Sequence, residues 1–272
     1  MTAKDNHAEL IAKLTVGISN LTSSEHWKRQ LELQSRFHRY SFSNVLLIGA
    51  QRPGASRVAG FHAWRRLNRF VRKGEKAIWI IAPVLYKRVD AEEGEADRTL
   101  RGFKFVPVFD VAQTEGEALP SVCNRLDGDG PRGLYDRLLP VARSIGFTVE
   151  QHEFANGANG DCCHRERRIR VESRNAPAQQ VKTLAHELAH ALLHESYDDR
   201  AVAELEAEST AYVVCQALGI DTGDYSFGYV ATWAGGGEPA VAGIRASGER
   251  IQKSAASILR RIEPPLEDEE AA

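Results

Sequence analysis

Apolar residues along this chain occur either at helical spacing or in continuous runs. The change from one pattern to the other predicts the order of its helices and strands. Helical spacing is found over residues 5–21 and 23–39. Two apolar runs rich in β-branched and aromatic residues, 77–86 and 102–109, predict an antiparallel strand pair joined by an acidic loop. The pattern further along predicts a helix at 134–145, a strand at 147–153, an edge strand at 169–171, and helices at 176–194, 200–218 and 240–262.

These elements predict an α+β fold in two domains. The segment 113–133 contains Gly, Pro and acidic residues without periodicity, as is typical of a connection. We therefore predict a basic N-terminal α+β domain at 1–118, a linker at 119–132 and a second domain at 133–262. The acidic tail 263–272 is expected to be disordered.

The predicted helix 176–194 contains the sequence HELAH, from His186 to His190, which matches the pattern HExxH. Residues four apart share a helix face, so the two histidines can present imidazole nitrogens to one metal ion, for which zinc is the natural candidate. Glu187, beside them, could act as the general base that activates water for hydrolysis. The alternative interpretation is a core helix whose two histidines match the pattern by accident.

The following helix offers a third ligand, which a catalytic zinc site requires. It carries Glu204, Glu206 and Glu208. Glu204 and Glu208 share a face with the small residues Ala211 and Cys215, whereas Glu206 lies about a half-turn away and is predicted to be exposed. This second helix favours the zinc site, with one Zn2+ per chain, over the accidental match.

Composition limits the setting. The chain has 272 residues, 43% of them hydrophobic and 26% charged, which is enough to bury a sizeable core. We expect a cytoplasmic protein without a membrane partner, because no basic-then-apolar signal region opens the sequence and no apolar run approaches the roughly 20 residues that span a bilayer. The four cysteines form no CxxC pair and are predicted to be free thiols.

Charge is unevenly distributed. Residues 1–89 hold 16 Lys and Arg against 5 Asp and Glu, whereas residues 90–272 hold 19 against 32. Basic residues interleave with aromatic ones in the segments 34–44 and 60–76, a mixture that suits single-stranded nucleic acid, because bases stack on rings and phosphates bind cations. Trp64 is expected to be at least partly buried, with Leu67 and Val71 at helical spacing. The candidate nucleic-acid-binding residues are Arg36, Phe37, His38, Arg39, Tyr40, Arg65, Arg66, Arg69, Arg72, Lys73 and Lys76.

The HELAH sequence, followed by Glu204-Leu205-Glu206-Ala207-Glu208, resembles the gluzincin-type metallopeptidases of the ImmA/IrrE group. In that pattern the third ligand is a helical Glu with a polar residue four positions later. The resemblance implies that Glu204 binds the metal and that Glu208 orients a ligating histidine. Glu208 as the ligand remains an alternative.

The whole chain resembles the ArdC-like antirestriction proteins, which join a single-stranded-DNA-binding domain to a zincin-like (gluzincin-type) metallopeptidase domain. The likeness rests on segments 34–41, 60–61, 72–76 and 109–111, and on HELAH with 224–229. It implies DNA binding and zinc. Together with Glu187 as the candidate base, it leads us to predict a single-stranded-DNA-binding zinc metallopeptidase that hydrolyses peptide bonds of a protein substrate, in particular proteins on DNA. Tyr212, Tyr225 and Tyr229 are candidate oxyanion donors. Two alternatives stay open: a non-proteolytic antirestriction protein with a structural metal site, and a protease that cleaves one repressor.

Overall fold

The computed structural model describes residues 3–87, 98–119, 130–196, 199–220, 227, 230 and 237–262. Most of the predicted linker, the predicted acidic loop and the predicted acidic tail lie outside these residues. The helices are α1 Ala3–Ser19, α2 Ser24–Arg36, α3 Phe42–Gln51, α4 Phe61–Arg66, α5 Pro131–Ser144, α6 Pro177–Leu193, α7 Arg200–Ala217 and α8 Glu238–Ile262. The strands are β1 Val58–Ala59, β2 Arg69–Val71, β3 Ile78–Lys87, β4 Arg98–Asp110, β5 Thr114–Gly116, β6 Thr148–His152, β7 Gly160–Cys163 and β8 Arg168–Glu172. None of the helices described has the length and apolarity needed to cross a membrane.

The α+β class is confirmed, and the chain divides into two compact units. The first contains residues 43–119 and its centre is a sheet in the order β1-β4-β3. β3 and β4 are antiparallel, as the apolar runs predict, with Ile78 opposite Val108 and both side chains buried. Alternate residues of each strand therefore face the core of this unit.

The outer edge of β3 is covered by side-chain amides of α3. Gln51 donates from Nε2 to the Trp79 carbonyl at 2.9 Å and accepts from the Trp79 N–H at 3.0 Å. Asn44 does the same for Ile81, with both distances at 2.8 Å. Because these groups occupy the free hydrogen-bonding positions of the strand, they block pairing with another chain. The sequence interpretation did not predict α3.

A short helix fixes the basic segment of the first unit. Trp64 is fully buried in α4, as expected, and its Nε1 donates to the Phe109 carbonyl at 2.8 Å. The expected helical continuation to Leu67 and Val71 is wrong, because α4 ends at Arg66. Leu67 is 47% exposed and Val71 lies in β2, which pairs with β5.

The second unit packs helices on a three-stranded sheet. Its strand order is β6-β8-β7, with β6 parallel and β7 antiparallel to β8. The prediction of an edge strand at 169–171 is therefore wrong: Ile169 and Val171 are fully buried in the central strand. The neighbour that displaces β8 from the edge is β7, whose sequence GDCC has little strand propensity and gave no signal.

Residues 15–42 pack with the second unit, although the predicted boundary assigns them to the first domain. Trp27 of α2 is fully buried and its Nε1 donates to Ser209 Oγ of α7 at 3.0 Å. Gln252 of α8 donates from Nε2 to the carbonyls of Phe37, at 3.0 Å, and Tyr40, at 2.8 Å. These residues belong to the second unit because apolar and amide side chains on one face of α2 pack against α7 and α8. The later change of unit falls between residues 119 and 120.

Glu172 holds the end of β8. Its carboxylate accepts hydrogen bonds from the backbone N–H groups of Phe154, at 2.8 Å, and Arg174, at 3.0 Å, and from the Arg174 guanidinium. The side chain and backbone of Arg174, together with the Phe154 N–H, outweigh burial and lower the pKa of Glu172 to about 2. The carboxylate is thus favoured in the folded chain.

A pH dependence of stability follows from this carboxylate. The pKa is lower in the folded than in the unfolded chain, so the stabilisation is present above about pH 4.5 and is lost as the pH falls towards 2. We expect Glu172→Gln to unfold at lower urea concentration than the wild type at pH 7, and the difference to shrink between pH 4.5 and 2. Glu249→Gln, in an exposed i,i+4 pair with Arg245, is the control. A difference between Glu172→Gln and the wild type that is the same at pH 7 and pH 2.5 would contradict this assignment.

Candidate metal centre

Two adjoining helices of the second unit carry the HExxH sequence and the three glutamates. α6 begins with Pro177 at its first turn, where a missing N–H costs nothing, and its N-cap is Ala176. α7 is capped by Asp199, whose side chain accepts from the N–H groups of Ala201 and Val202. The two helices pack against each other. Fully buried alanines on both, Ala185, Ala189, Ala207 and Ala211, permit a close approach of the backbones.

This packing brings three potential ligands together. One nitrogen of His186, one of His190 and one carboxylate oxygen of Glu204 lie within 4.8 Å of one another, and no other group of metal-binding type is found among the described residues. The two Nε2 atoms are 3.1 Å apart. Glu204 Oε2 lies 3.4 Å from Nε2 of His186 and 3.7 Å from Nε2 of His190.

The donor set fits a small divalent cation. Tetrahedral bonds of about 2.0–2.1 Å, as for zinc, separate neighbouring ligand atoms by about 3.4 Å, and the three observed separations bracket that value. Two imidazoles and one carboxylate leave a fourth position for water or substrate, as in catalytic rather than structural sites.

The other nitrogen of His186 contacts Glu208. Its Nδ1 lies 3.3 Å from Glu208 Oε2, and Lys182 Nζ lies 2.9 Å from Glu208 Oε1. Burial alone would lower the pKa of His186, but the hydrogen bonds to Glu204 and Glu208 raise it to about 9. Hydrogen bonds to His186 and His190 hold the pKa of Glu204 well below its usual range. Glu208 thus contacts the nitrogen that faces away from the ligand group.

Glu187 is buried and lies against Gly160 of β7. Burial first, and then the charges of Asp161 and Glu204, raise its pKa to about 7, against the opposing effect of His186. Gly160 makes room for it: a Cβ at that position would lie 3.0 Å from Glu187 Oε1 and 2.6 Å from the Thr183 methyl carbon. A carboxyl group with a pKa near neutrality can both accept and return a proton. Burial and the charge of Glu187 raise the pKa of the Cys162 thiol to about 12, so it stays protonated.

The sequence interpretation missed a polar network behind His190. His194, at the end of α6, contacts His190 and Glu206. The prediction that Glu206 is exposed is wrong: it is 1% exposed and is bound by Ser247 and Arg250 of α8. The spacing of four residues between His190 and His194 was the available signal. The partners on α8 could not be identified, because they follow Glu206 by more than 40 residues.

Of the three candidate oxyanion donors, only Tyr212 is among the described residues. Tyr212 is buried, and its hydroxyl group donates to Glu32 of α2 at 3.3 Å. This contact argues against a free donor at Tyr212. Tyr225 and Tyr229 lie outside the described residues. Cys162, Cys163 and Cys215 are free thiols, as predicted, whereas Cys123 is outside the described residues.

The candidate nucleic-acid-binding residues fall into two groups. Arg36 to Tyr40 belong to the second unit, and Phe37 is only 3% exposed, which rules out base stacking in this conformation. In the first unit, Arg65, Arg66, Lys73 and Lys76 are exposed. Arg72 is also exposed, but Arg69 and Arg72 bind the chain itself, through Thr114 and, for Arg72, also Glu75.

The structure also identifies two exposed rings beside the basic residues of the first unit. Phe61 is 43% exposed and Phe70 is 51% exposed. Phe61 opens α4, which carries Arg65 and Arg66, and Phe70 lies in β2. Both rings are in the segment that the sequence marked as basic and aromatic, but its pattern could not distinguish them from Trp64, which is buried.

Two family models match this chain. Residues 3–111 match the N-terminal domain of anti-restriction factor ArdC. Residues 142–219, which include α6 and α7, match the IrrE N-terminal-like domain, a peptidase family.

Among individual proteins, an uncharacterised Bacillus anthracis protein, pXO2-81, is 24% identical over 310 aligned residues, which cover 97% of this chain and 52% of the relative. The chain thus spans about half the length of that relative. Two crystal structures of the antirestriction protein ArdC from the R388 plasmid, one metal-free and one Mn(II)-bound, are similar at 20% identity. Each has a TM-score of 0.49 and the match covers 81% of this chain and 84% of the other.

Proposed function

We propose that this chain, which joins an ArdC-type N-terminal domain to an IrrE-like peptidase-family domain, is a single-stranded-DNA-binding zinc metallopeptidase that acts in antirestriction. Its substrates would be proteins associated with the same DNA. The observation that carries the proposal is the convergence of His186, His190 and Glu204 beside a buried Glu187. A site that only stabilised the fold would not need a buried carboxyl group beside an open coordination position.

His186, His190 and Glu204 would hold the cation and leave one position open. When bound, zinc supplies Lewis acidity: it polarises a carbonyl oxygen and lowers the pKa of water. Glu187 would take the proton from the attacking water and then deliver it to the leaving amine. Its burial beside β7 keeps bulk water from competing for that proton, and a cation nearby would favour its carboxylate form before the reaction.

The sheet supports a mode of substrate binding. β7 pairs with β8 on one side and has no partner strand on the other among the described residues. It packs against α6, and Gly160 at its start approaches Glu187. An extended peptide that added to this free edge would have its backbone held by hydrogen bonds beside the metal. β7, rather than the predicted edge strand at 169–171, is therefore the candidate strand for substrate binding.

The first unit supports binding of single strands. Phe61 and Phe70 offer exposed rings, and Arg65 and Arg66 lie on the same short helix as Phe61. Stacking tolerates any base sequence, and the arginines would contact phosphates. The benefit of joining such a unit to a peptidase is a high effective concentration of proteins on the same strand.

This part of the proposal predicts a salt-dependent affinity. We expect the full chain to bind single-stranded DNA in preference to duplex, with affinity that falls steeply as salt rises, because binding releases counterions. A fluorescence-anisotropy titration of the alanine variant at Arg65, Arg66, Lys73 and Lys76 should show weaker binding. Its salt slope should be flatter by up to about 0.7 per lost phosphate contact.

The matched control changes four exposed basic residues of the second unit to alanine: Arg132, Arg143, Arg165 and Lys253. It removes the same charge, so it should retain the wild-type salt slope. Equal loss in both variants would mean that net charge, rather than this surface, determines binding. Retention of full affinity by the first variant at every salt concentration would place the DNA surface elsewhere.

A further inference from the structure

His190 makes a contact on the side away from the metal ligands. Its Nε2 faces His186 and Glu204, whereas its Nδ1 lies 3.0 Å from Nδ1 of His194. His194 is buried where α6 ends, and its backbone N–H donates to the His190 carbonyl at 2.9 Å. Two imidazole nitrogens at this distance form a hydrogen bond only if one carries a proton and the other a lone pair.

The rest of the network decides which nitrogen carries the proton. His194 Nε2 lies 3.2 Å from Glu206 Oε2. Glu206 also accepts from Ser247 Oγ at 2.6 Å and from Arg250 Nε at 2.9 Å. A carboxylate only accepts, so His194 Nε2 is the donor, and in the neutral imidazole its Nδ1 then keeps the lone pair. That lone pair accepts from His190 Nδ1–H, which leaves the lone pair of His190 on Nε2, facing Glu204.

We propose that His194 is a positioning residue for the metal ligand His190, and that Glu206 and Arg250 fix the tautomer of both histidines. The inference rests on the proposed metal site and extends it to a helix, α8, that supplies no ligand. The two ligating histidines then have separate supports: Glu208 with Lys182 behind His186, and His194 with Glu206 behind His190. Partners of this kind raise the basicity of a ligand and fix its ring.

Zn2+ affinity of the purified full chain tests this, measured by competition with a chromophoric chelator without any assay of activity. His194→Leu removes the acceptor and should weaken binding by roughly 10–100-fold. His194→Asn can place its side-chain oxygen near the position of Nδ1, so it should recover most of the affinity. A residue that only filled space would not distinguish Asn from Leu in this way. Circular dichroism checks the fold of each variant.

Glu206→Gln gives a second, independent arm. Arg250 and Ser247 would hold the amide oxygen, so the amide N–H would point at His194 Nε2 and force the proton onto Nδ1. His190 then loses its acceptor without loss of shape, and Zn2+ affinity should fall by a similar factor. The double variant His194→Asn with Glu206→Gln should bind no more weakly than His194→Asn alone, because Asn provides the acceptor by itself. Glu249→Gln, on the exposed face of α8, should bind Zn2+ with the affinity of the wild type.

The outcomes separate this inference from the proposed function. If the wild type binds zinc tightly and His194→Leu or Glu206→Gln binds it equally tightly, the positioning role is overturned. The proposed metal site would then be retained. Additive losses in the double variant would mean that the two residues act independently, which also contradicts it. A wild-type chain that binds no metal would overturn the proposed function, and the positioning role with it.

Discussion

Replacement of His186 or His190 by alanine is expected to reduce bound metal from about one ion per chain to a small fraction of that value. In the proposed site, each histidine would contribute one of three ligand atoms that lie within 4.8 Å of one another. Loss of any one leaves two ligands, which hold a divalent cation weakly. Elemental analysis of the purified variants measures the occupancy directly. His152→Ala, at an exposed histidine of the same unit, is the control and should keep the wild-type content.

The same experiment should distinguish the roles of Glu204 and Glu208 of α7. In the proposed site, Glu204→Ala removes a ligand oxygen, whereas Glu208→Ala removes the group that contacts His186 Nδ1. We expect the Glu204 variant to lose more affinity than the Glu208 variant, which should lose roughly 10–100-fold. The reverse order would identify Glu208 as the ligand. Full occupancy in both histidine variants would exclude the site altogether.

Glu187→Gln is expected to leave metal content, fold and DNA affinity unchanged while it abolishes proteolysis. Glutamine preserves the size of the side chain beside Gly160 but cannot accept the proton of water. The rate should fall by at least about a hundredfold, the smallest contribution usual for a positioned general base. Glu195→Gln, at an exposed glutamate just beyond α6, is the control and should retain the wild-type rate.

The same variant separates the rival functions in cells. If protection of incoming DNA persists in Glu187→Gln but is lost when the basic residues of the first unit are neutralised, then DNA binding alone provides antirestriction. If protection is lost in Glu187→Gln at unchanged DNA affinity, proteolysis is required. Cleavage of a single repressor, rather than of proteins on DNA, would appear as activity that single-stranded DNA does not stimulate.

Elements with strong local patterns could be predicted from the sequence. α6 and α7 follow from helical spacing, and the β3–β4 pair follows from two apolar runs. The helix periodicity places His186 and His190 on one face without reference to the rest of the chain. The pairing of these two histidines therefore depends only on information inside a few turns of helix.

Features that depend on distant partners could not be predicted. Glu206 can be buried because Ser247 of α8 donates a hydrogen bond to it and Arg250 of α8 neutralises its charge. Phe37 is buried in the second unit, where Gln252 donates a hydrogen bond to its carbonyl. Neither contact leaves a mark in the local sequence. β8 is central rather than an edge because β7 pairs with it, and β7, with its Gly-Asp start, has too little strand propensity to be predicted. Tertiary packing outweighs propensity at each of these positions.

Cleavage of a protein by the zinc-loaded chain is the measurement that tests the central claim most directly. Casein and a single-stranded-DNA-binding protein would be incubated with the wild type, with Glu187→Gln and with chelator-treated wild type, each with and without single-stranded DNA. We expect cleavage products only from the metal-loaded wild type, with more cleavage of the DNA-bound protein when DNA is present. Products formed equally by Glu187→Gln, or no products from the wild type under any of these conditions, would contradict a DNA-tethered metallopeptidase.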